Sequence, residues 1–452
     1  MWRLSERLRE AQFENDYIPA MKILRLVPAV LIALCAARLA AQPTPLQRRS
    51  QQIGALISAA PSGFDTVFAS SFLAQVPAAR LTPLFIQLLA QTGKVLRVTP
   101  SQITGPTSGK FDLVTDKGFA IPATISIDAG APNLVNGLLF GTPVPLAVNF
   151  AALVAEFGKL PGTVSFVAAR LDAEQIVPIA SLNPDTALAI GSAFKLYILG
   201  ELVRSVERGE RKWSDVVTLD PAAMSLPSGF LATWPAGSHV TLETLATLMI
   251  SQSDNTATDQ LLRALGREKV EAMLRTMDNH AAARDVPFLA TLEMFKLKGS
   301  PMGTLATRYA AADVPARRAL LVGETAKLTR DEIHPYADGK PSHIADVEWF
   351  ASANDLVRAM RWLRGASASV SGQPARKLLA VNPGIGQSKE DWPYVGYKGG
   401  SEPGVLNLTF LLQAADGRWF ILSAGWNDPK AVVDESKFLG LVSRGIQLLR
   451  VP

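Results

Sequence analysis

From residue 146 onward, β-prone and helical stretches are segregated along the chain instead of alternating. Val164-Ser165-Phe166-Val167-Ala168-Ala169 and Ile176-Val177-Pro178-Ile179-Ala180 read as two strands around the turn Asp172-Ala173-Glu174. Helical periods then fill the middle, from Ser192 and over 242–250, 256–265, 270–277 and 353–363. The chain closes with strand 406–413, the turn Asp416-Gly417, strand 419–426 and an apolar helix over 438–449. Strands at both ends must share one sheet, and the helices between them must cover it. That predicts an α+β or mixed three-layer domain and argues against a repeating βαβ fold. With 48% apolar and 19% charged residues, such a chain can bury the core this requires.

Residues 43–145 read as a separate small α+β module. Ile53, Leu56 and Ile57 begin a helical pattern that continues through 64–72 and 81–89, where Leu84, Leu88 and Leu89 share one face. Three β-prone runs follow, 111–115, 119–127 and 133–140, split by Asp116-Lys117-Gly118, a hairpin signal, and by Gly130-Ala131-Pro132. Gly141-Thr142-Pro143-Val144-Pro145 reads as the linker to a domain spanning 146–452. The module holds no titratable constellation, so its expected role is packing, binding or positioning.

Residues 1–41 read as a secretory signal, with Met21 an alternative start. Lys22 and Arg25 precede an apolar run over 27–37, too short to span a bilayer, and Leu39-Ala40-Ala41 offers small residues for cleavage. The expectation is a secreted or periplasmic protein with no stable membrane span after cleavage. Cys35, the single cysteine, lies in that segment, and Leu34 before it disfavours lipidation. The mature chain therefore lacks disulfides, a thiolate nucleophile and cysteine ligands for zinc. A net charge of +5, dispersed along the chain, gives no basis for nucleic-acid binding. The four histidines, His239, His280, His334 and His343, show no metal-ligand spacing, so no cofactor or metal is expected.

Three short strings carry chemistry. Ser192-Ala193-Phe194-Lys195 is the only Ser-x-x-Lys in the chain. On a helix, three residues of separation put both side chains on one face. A serine hydroxyl is a poor nucleophile until a neighbour takes its proton. The apolar turns that follow, Leu196 to Leu199 and Leu202, predict burial, which makes a lysine less basic and able to serve as that neighbour. Ser192 also stands where orphan N–H groups of a helix start favour negative charge. Ser253-Asp254-Asn255 ends one helical pattern and opens another, with Asp254 able to cap the second. Lys398-Gly399-Gly400-Ser401 follows a plausible edge strand, Tyr394-Val395-Gly396-Tyr397; glycines there let a substrate backbone approach, and Lys398 would attract a carboxylate.

In this order and spacing, the three strings resemble the Ser-x-x-Lys, Ser-Asp-Asn and Lys-Thr-Gly signature of the serine β-lactamases and penicillin-binding proteins. The domain is most similar to the class A β-lactamases. The resemblance implies an antiparallel sheet with helices on both faces plus a helical subdomain, the class A/transpeptidase-like fold, preceded here by the small module. More weakly, the pairing is similar to β-lactamase-like proteins with an isomerase- or cyclase-like N-terminal domain. The resemblance implies catalytic roles for Ser192 (nucleophile), Lys195 (base) and Ser253 (proton relay). It implies substrate-binding roles for Asn255, Lys398, Gly400 and Ser401. It also implies an oxyanion hole made by the backbone N–H groups of Ser192 and Ser401.

The chain departs from the family in two places. Gly399 stands where Thr or Ser is usual, so a hydroxyl is missing unless Ser401 supplies it. Between about Asp278 and Asp346 the chain is longer, and no Glu-x-x-Leu-Asn motif supplies a deacylating base. Glu293, Asp331 and Glu332 qualify only by residue type. The insert, with Leu289, Met294, Phe295 and Met302, reads as a lid over the pocket. The expected activity is β-lactam hydrolysis through an acyl-enzyme, as in antibiotic resistance. The alternatives are an esterase or D-alanyl peptidase on the same fold, or a β-lactam or cell-wall sensor that acylates once.

Overall fold

The computed structural model describes residues 43–59, 61–146, 149–226, 228–301, 303–385 and 389–450. The proposed signal with Met21 and Cys35, and Met302 of the insert, lie outside the described residues.

Four helices open the described chain: α1 (Pro45–Ser58), α2 (Phe64–Val67), α3 (Ser70–Gln75) and α4 (Ala78–Thr92). Thr44 and Gln47 close a reciprocal capping box on α1, satisfying two otherwise orphan N–H groups. An antiparallel meander follows, β1 (Val95–Gly105), β2 (Ser108–Thr115), β3 (Phe119–Ile127) and β4 (Val135–Phe140). Ile53, Ile57, Leu81, Phe85 and Leu88 from the helices meet Phe111, Leu113, Ile121 and Ile125 in one apolar core. The buried stripe of α4 is thus Leu81–Phe85–Leu88. Leu84, expected beside Leu88, is 40% exposed, because the i, i+4, i+7 row won over the i, i+4, i+5 row. Part of the expected linker is a short strand: β5 (Val144–Pro145) pairs with β3.

The larger part is three-layered. After α5 (Phe150–Phe157) come β6 (Thr163–Asp172), β7 (Gln175–Leu182) and the short β8 (Leu188–Ala189). A 3-10 turn, Gly191–Phe194, runs directly into α6 (Lys195–Glu207). The pair β9 (Val216–Thr218) and β10 (His239–Thr241) precedes α7 (Leu242–Ser251), α8 (Asn255–Leu265) and α9 (Arg267–Thr276). Next are α10 (Thr291–Gly299), α11 (Leu305–Ala311), α12 (Val314–Leu320), β11 (Phe350–Ala351), α13 (Ala353–Ala366) and α14 (Gln373–Leu379). The chain ends with β12 (Tyr394–Glu402), β13 (Val405–Gln413), β14 (Trp419–Asn427) and α15 (Glu435–Leu448).

The main sheet has the order β12-β13-β14-β6-β7 and is antiparallel throughout. Strands from the two ends of the domain meet where β14 pairs with β6, as the segregated pattern requires. β13 and β14 are buried almost end to end because both faces are covered. Phe157 of α5 and Phe438, Val442 and Ile446 of α15 pack on one face. Leu356 and Met360 of α13, with the helical half behind them, pack on the other. The insert is not a detached flap: Leu289, Leu292, Leu297, Leu305 and Tyr309 belong to the same apolar cluster as α6. Each such side chain contributes roughly 1.5–3 kcal/mol when fully buried.

Candidate active site

The site forms where the 3-10 turn meets the edge strand. Leu196, Tyr197, Ile198, Leu199 and Leu202 are fully buried and fix α6 in the core, which holds the preceding turn against β12. The contact is backbone on backbone. A Cβ added to Gly400 would stand 2.1 Å from the Ile190 carbonyl oxygen and 2.4 Å from the Ser192 nitrogen. One added to Gly191, whose φ is +47°, would stand 2.9 Å from the Ser401 nitrogen. Both positions therefore need glycine for close approach, and Gly191 also for its left-handed backbone. The amides of Ser192 and Ser401 are brought to one seam by this packing.

Lys195 is completely buried beneath that seam. Its Nζ donates to the Ser253 carbonyl oxygen at 2.6 Å, to Asn255 Oδ1 at 2.7 Å and to Ser253 Oγ at 3.2 Å. Ser253 has φ +54°, a left-handed conformation uncommon outside glycine. That turn makes the Ser253 carbonyl, its hydroxyl and the Asn255 side chain converge on one ammonium. The segment is anchored by Asp254. Its Oδ1 accepts from the Ala257 N–H, capping α8, and its Oδ2 accepts from the Phe230 and Leu231 N–H groups at 2.8 Å. Asn255 Nδ2 donates to the Leu226 carbonyl. Lys398 approaches from the sheet: its Nζ donates to Ser253 Oγ at 3.0 Å and to the Gly399 carbonyl at 2.6 Å. Ser253 Oγ therefore lies between two lysines.

Neither lysine has a carboxylate partner among the described residues, and both lose basicity. Burial pushes the Lys195 ammonium well below its ordinary pKa, and the nearby Lys398 charge pushes it further; Asp259 and Asp254 oppose this from a distance. Burial alone lowers Lys398 to about 7.

A cavity of about 640 Å³ opens over this arrangement, lined by Ser192, Ser253, Asn255, Lys398, Gly400 and Ser401. Met294, Phe295 and Trp349 form its apolar wall. Lys195 lies behind Ser253. The structure thus brings all seven sequence-derived site residues together, but the contact expected between Ser192 and Lys195 differs. No hydrogen bond joins their side chains among the described residues. The first turn is 3-10 and not α, and the three acceptors on residues 253–255 take all three ammonium protons. In that state Lys195 has no lone pair to offer; the neutral form, which burial favours, has one.

The remaining candidates fall outside the cavity. Glu293 is paired with Arg267 at 2.7 Å and caps α10 through the Ala290 N–H. Asp331 and Glu332 are exposed on a 3-10 turn, where Glu332 caps Thr329. Phe350 and Trp392 are packed in apolar clusters. At Gly399 an added Cβ would stand 2.0 Å from the Tyr397 hydroxyl, so a phenol already fills that space, and Tyr397 lines the cavity. Sequence reasoning missed Ser228, Tyr336, Glu348 and Glu402 on the cavity wall. Of these only Glu402, directly after the glycine-rich string, carried a positional signal.

The model of the beta-lactamase enzyme family matches residues 145–447. Among solved structures, a β-lactamase from Sphaerobacter thermophilus is 21% identical, with 67% of this chain and 95% of that chain covered and a TM-score of 0.46. A β-lactamase from Chitinophaga pinensis is 14% identical, covering 67% and 96%, with a TM-score of 0.45. The structure of PBP-A is 14% identical, covering 68% and 97%, also with a TM-score of 0.45. No curated protein matches the chain.

Proposed function

Because the chain belongs to the beta-lactamase enzyme family, we propose that it is a serine hydrolase that forms an ester on Ser192, with β-lactams as its substrates. The observation that carries this reading is Ser253 Oγ held between Lys195 Nζ and Lys398 Nζ, on the wall of the cavity that Ser192 and Ser401 line. Neutral Lys195 takes the Ser192 proton as Oγ attacks the carbonyl carbon. The oxyanion is held by the Ser192 and Ser401 N–H groups. Collapse breaks the C–N bond, and the proton reaches the leaving nitrogen through Ser253. Asn255 and Lys398 orient the substrate amide and carboxylate. Water then cleaves the ester and regenerates Ser192. The export segment read at residues 1–41 would put this chemistry in the periplasm or outside the cell.

One observation favours a second reading, an esterase or D-alanyl peptidase on the same site. Glu293 is committed to Arg267, and Asp331 and Glu332 lie off the cavity. None of these three is available to activate a deacylating water, so β-lactam esters would persist.

The test is a panel of nitrocefin, p-nitrophenyl acetate and a D-Ala-D-Ala peptide, run beside Ser192→Ala, with mass spectrometry of the protein. Rapid multiple turnover of nitrocefin supports β-lactam hydrolysis. Ester or peptide turnover with a long-lived penicillin adduct on Ser192 supports the second reading. An adduct that never turns over on any substrate supports a sensor. Absence of any Ser192 adduct, including with a fluorophosphonate, overturns all three.

A further inference from the structure

The cavity wall contains a buried charged cluster that the mechanism above does not use. Lys298 on α10 donates to Glu402 Oε1 at 2.7 Å, to Glu402 Oε2 at 2.9 Å and to Glu348 Oε1 at 2.9 Å. The side chains of Lys298 and Glu348 are fully buried, and that of Glu402 is 5% exposed. The Tyr336 hydroxyl donates to Glu402, and its ring lies beneath the ammonium. A lysine this deeply buried is strongly destabilising unless it is paired and hydrogen-bonded, and this one is.

Each carboxylate leads to one half of the oxyanion seam. Glu402 directly follows Ser401 on β12, and it shares the face of that strand with Lys398 and Gly400 because side chains alternate. Glu348 directly precedes Trp349, whose N–H it accepts at 3.2 Å. The Trp349 carbonyl accepts the Ile190 N–H at 3.0 Å, and the indole stacks on Phe194 with ring centroids 3.7 Å apart. Ile190 and Phe194 flank Ser192 two residues away on either side. The indole N–H is tied to the Leu289 carbonyl of the insert. One ammonium therefore joins the strand that carries the Ser401 amide to the segment that clamps the turn carrying the Ser192 amide.

We propose that Lys298 is a positioning residue: it sets the separation of the Ser192 and Ser401 amides by tying Glu402 and Glu348 together, and so couples the insert to the oxyanion hole. This rests on the serine-hydrolase reading. An oxyanion hole stabilises the transition state and contributes little to ground-state binding. A displacement of about 1 Å in such a site costs ~100-fold in rate. Loss of Lys298 should consequently fall on kcat and on transition-state-like ligands, and hardly on KM.

The experiment uses the whole chain and compares wild type with Lys298→Met and Glu402→Ala, the second freeing β12 from Lys298 and Tyr336 while leaving the Lys298–Glu348 pair. Three quantities are read: acylation of Ser192 by nitrocefin or p-nitrophenyl acetate, KM, and the inhibition constant of phenylboronic acid, which forms a tetrahedral adduct on a serine. Thermal melting identifies folded protein. The expected result is a ~100-fold slower acylation for Lys298→Met and a weaker boronate by a similar factor, with KM changed by less than about threefold. Glu402→Ala should show the same split, with a smaller loss. If both folded variants acylate and bind boronate like wild type, or lose KM and kcat together, the proposal is overturned. If Lys298→Met does not fold, Glu402→Ala decides by the same criterion. Wild type that forms no adduct at Ser192 overturns the hydrolase reading, and this inference with it.

Discussion

Two buried lysines stand behind residues that line the same cavity, Lys195 behind Ser253 and Lys298 behind Glu348 and Glu402, and they respond to burial in opposite ways. Lys195 is surrounded by neutral acceptors, a carbonyl, a hydroxyl and an amide oxygen, and is pushed well below its ordinary pKa. The Lys298 side chain is as deeply buried, yet its basicity rises, because its interactions with the carboxyl groups of Glu348 and Glu402 outweigh desolvation. Glu402 carries the counterpart: burial and the neighbouring Glu348 push it well above the usual carboxylate range. Burial alone thus does not decide what a lysine does. Hydrogen bonds to groups without charge leave a buried lysine ready to lose its proton, and carboxyl partners hold the ammonium. The difference lies in the neighbours: Asn255 in one pocket, Glu348 and Glu402 in the other.

Removing the amine of Lys195, the proposed base, should have the largest effect. Lys195→Met is expected to slow acylation of Ser192 by ~10²–10⁴-fold, the usual contribution of a general base, without loss of fold, since the methionine replaces a buried aliphatic stem. Rapid-quench acylation with mass detection measures it; a loss below tenfold would remove Lys195 from the role of base. Making the first pocket resemble the second is the sharper test. Asn255→Asp puts a carboxylate 2.7 Å from Lys195 Nζ without changing side-chain shape. The ammonium should then persist at neutral pH, with acylation ~100-fold slower at pH 7 and recovering as pH rises, since one unit of pKa shift is a factor of ten in the neutral fraction. An unchanged pH–rate profile would show that the neighbours do not set the lysine's basicity.

The same contrast explains what could be read in the sequence. Ser192, Ser253, Asn255 and Lys398 were legible because their spacing on a helix, a helix–helix turn and an edge strand is local. The main sheet was legible because 406–413 carries Leu406, Leu408, Phe410 and Leu412 on one face, and 419–426 is largely apolar. Lys298 was not, because nothing near it in sequence marks it; its partners lie 50 and 104 residues away. The 3-10 geometry at Gly191–Phe194 was also hidden, since it arises from tertiary contact with Gly400 and not from local propensity. β1 was missed because Pro100 and an irregular succession of exposed and half-buried residues break the period of two.

Stability gives an independent view of the unpaired type of lysine. Lys398 titrates near 7 in the folded chain against 10.5 when free. Between those values the unfolded chain holds a proton that the folded chain has released, so this residue makes unfolding harder as pH rises, by up to ~1.4 kcal/mol per pH unit. Calorimetric melting from pH 6 to 9.5 should show a steeper rise for wild type than for Lys398→Met, and the difference curve isolates Lys398 from Glu402, whose raised pKa acts with the opposite sign. Parallel curves would mean that Lys398 keeps an ordinary pKa.

The smallest effect concerns Tyr397. Its hydroxyl occupies the space next to Gly399 and faces the cavity beside Lys398. It has no hydrogen-bond partner among the described residues and so has a donor to offer a substrate. Losing one such hydrogen bond is worth about 0.5–1.5 kcal/mol, so Tyr397→Phe should raise KM for a carboxylate-bearing β-lactam roughly 3- to 10-fold while leaving kcat in place. A neutral ester such as p-nitrophenyl acetate presents no carboxylate to that wall, and its KM should not move. If both substrates weaken equally, the phenol supports the strand and not the ligand; if neither does, Tyr397 is no substitute for the hydroxyl missing at Gly399, and Ser401 is the remaining candidate on that wall.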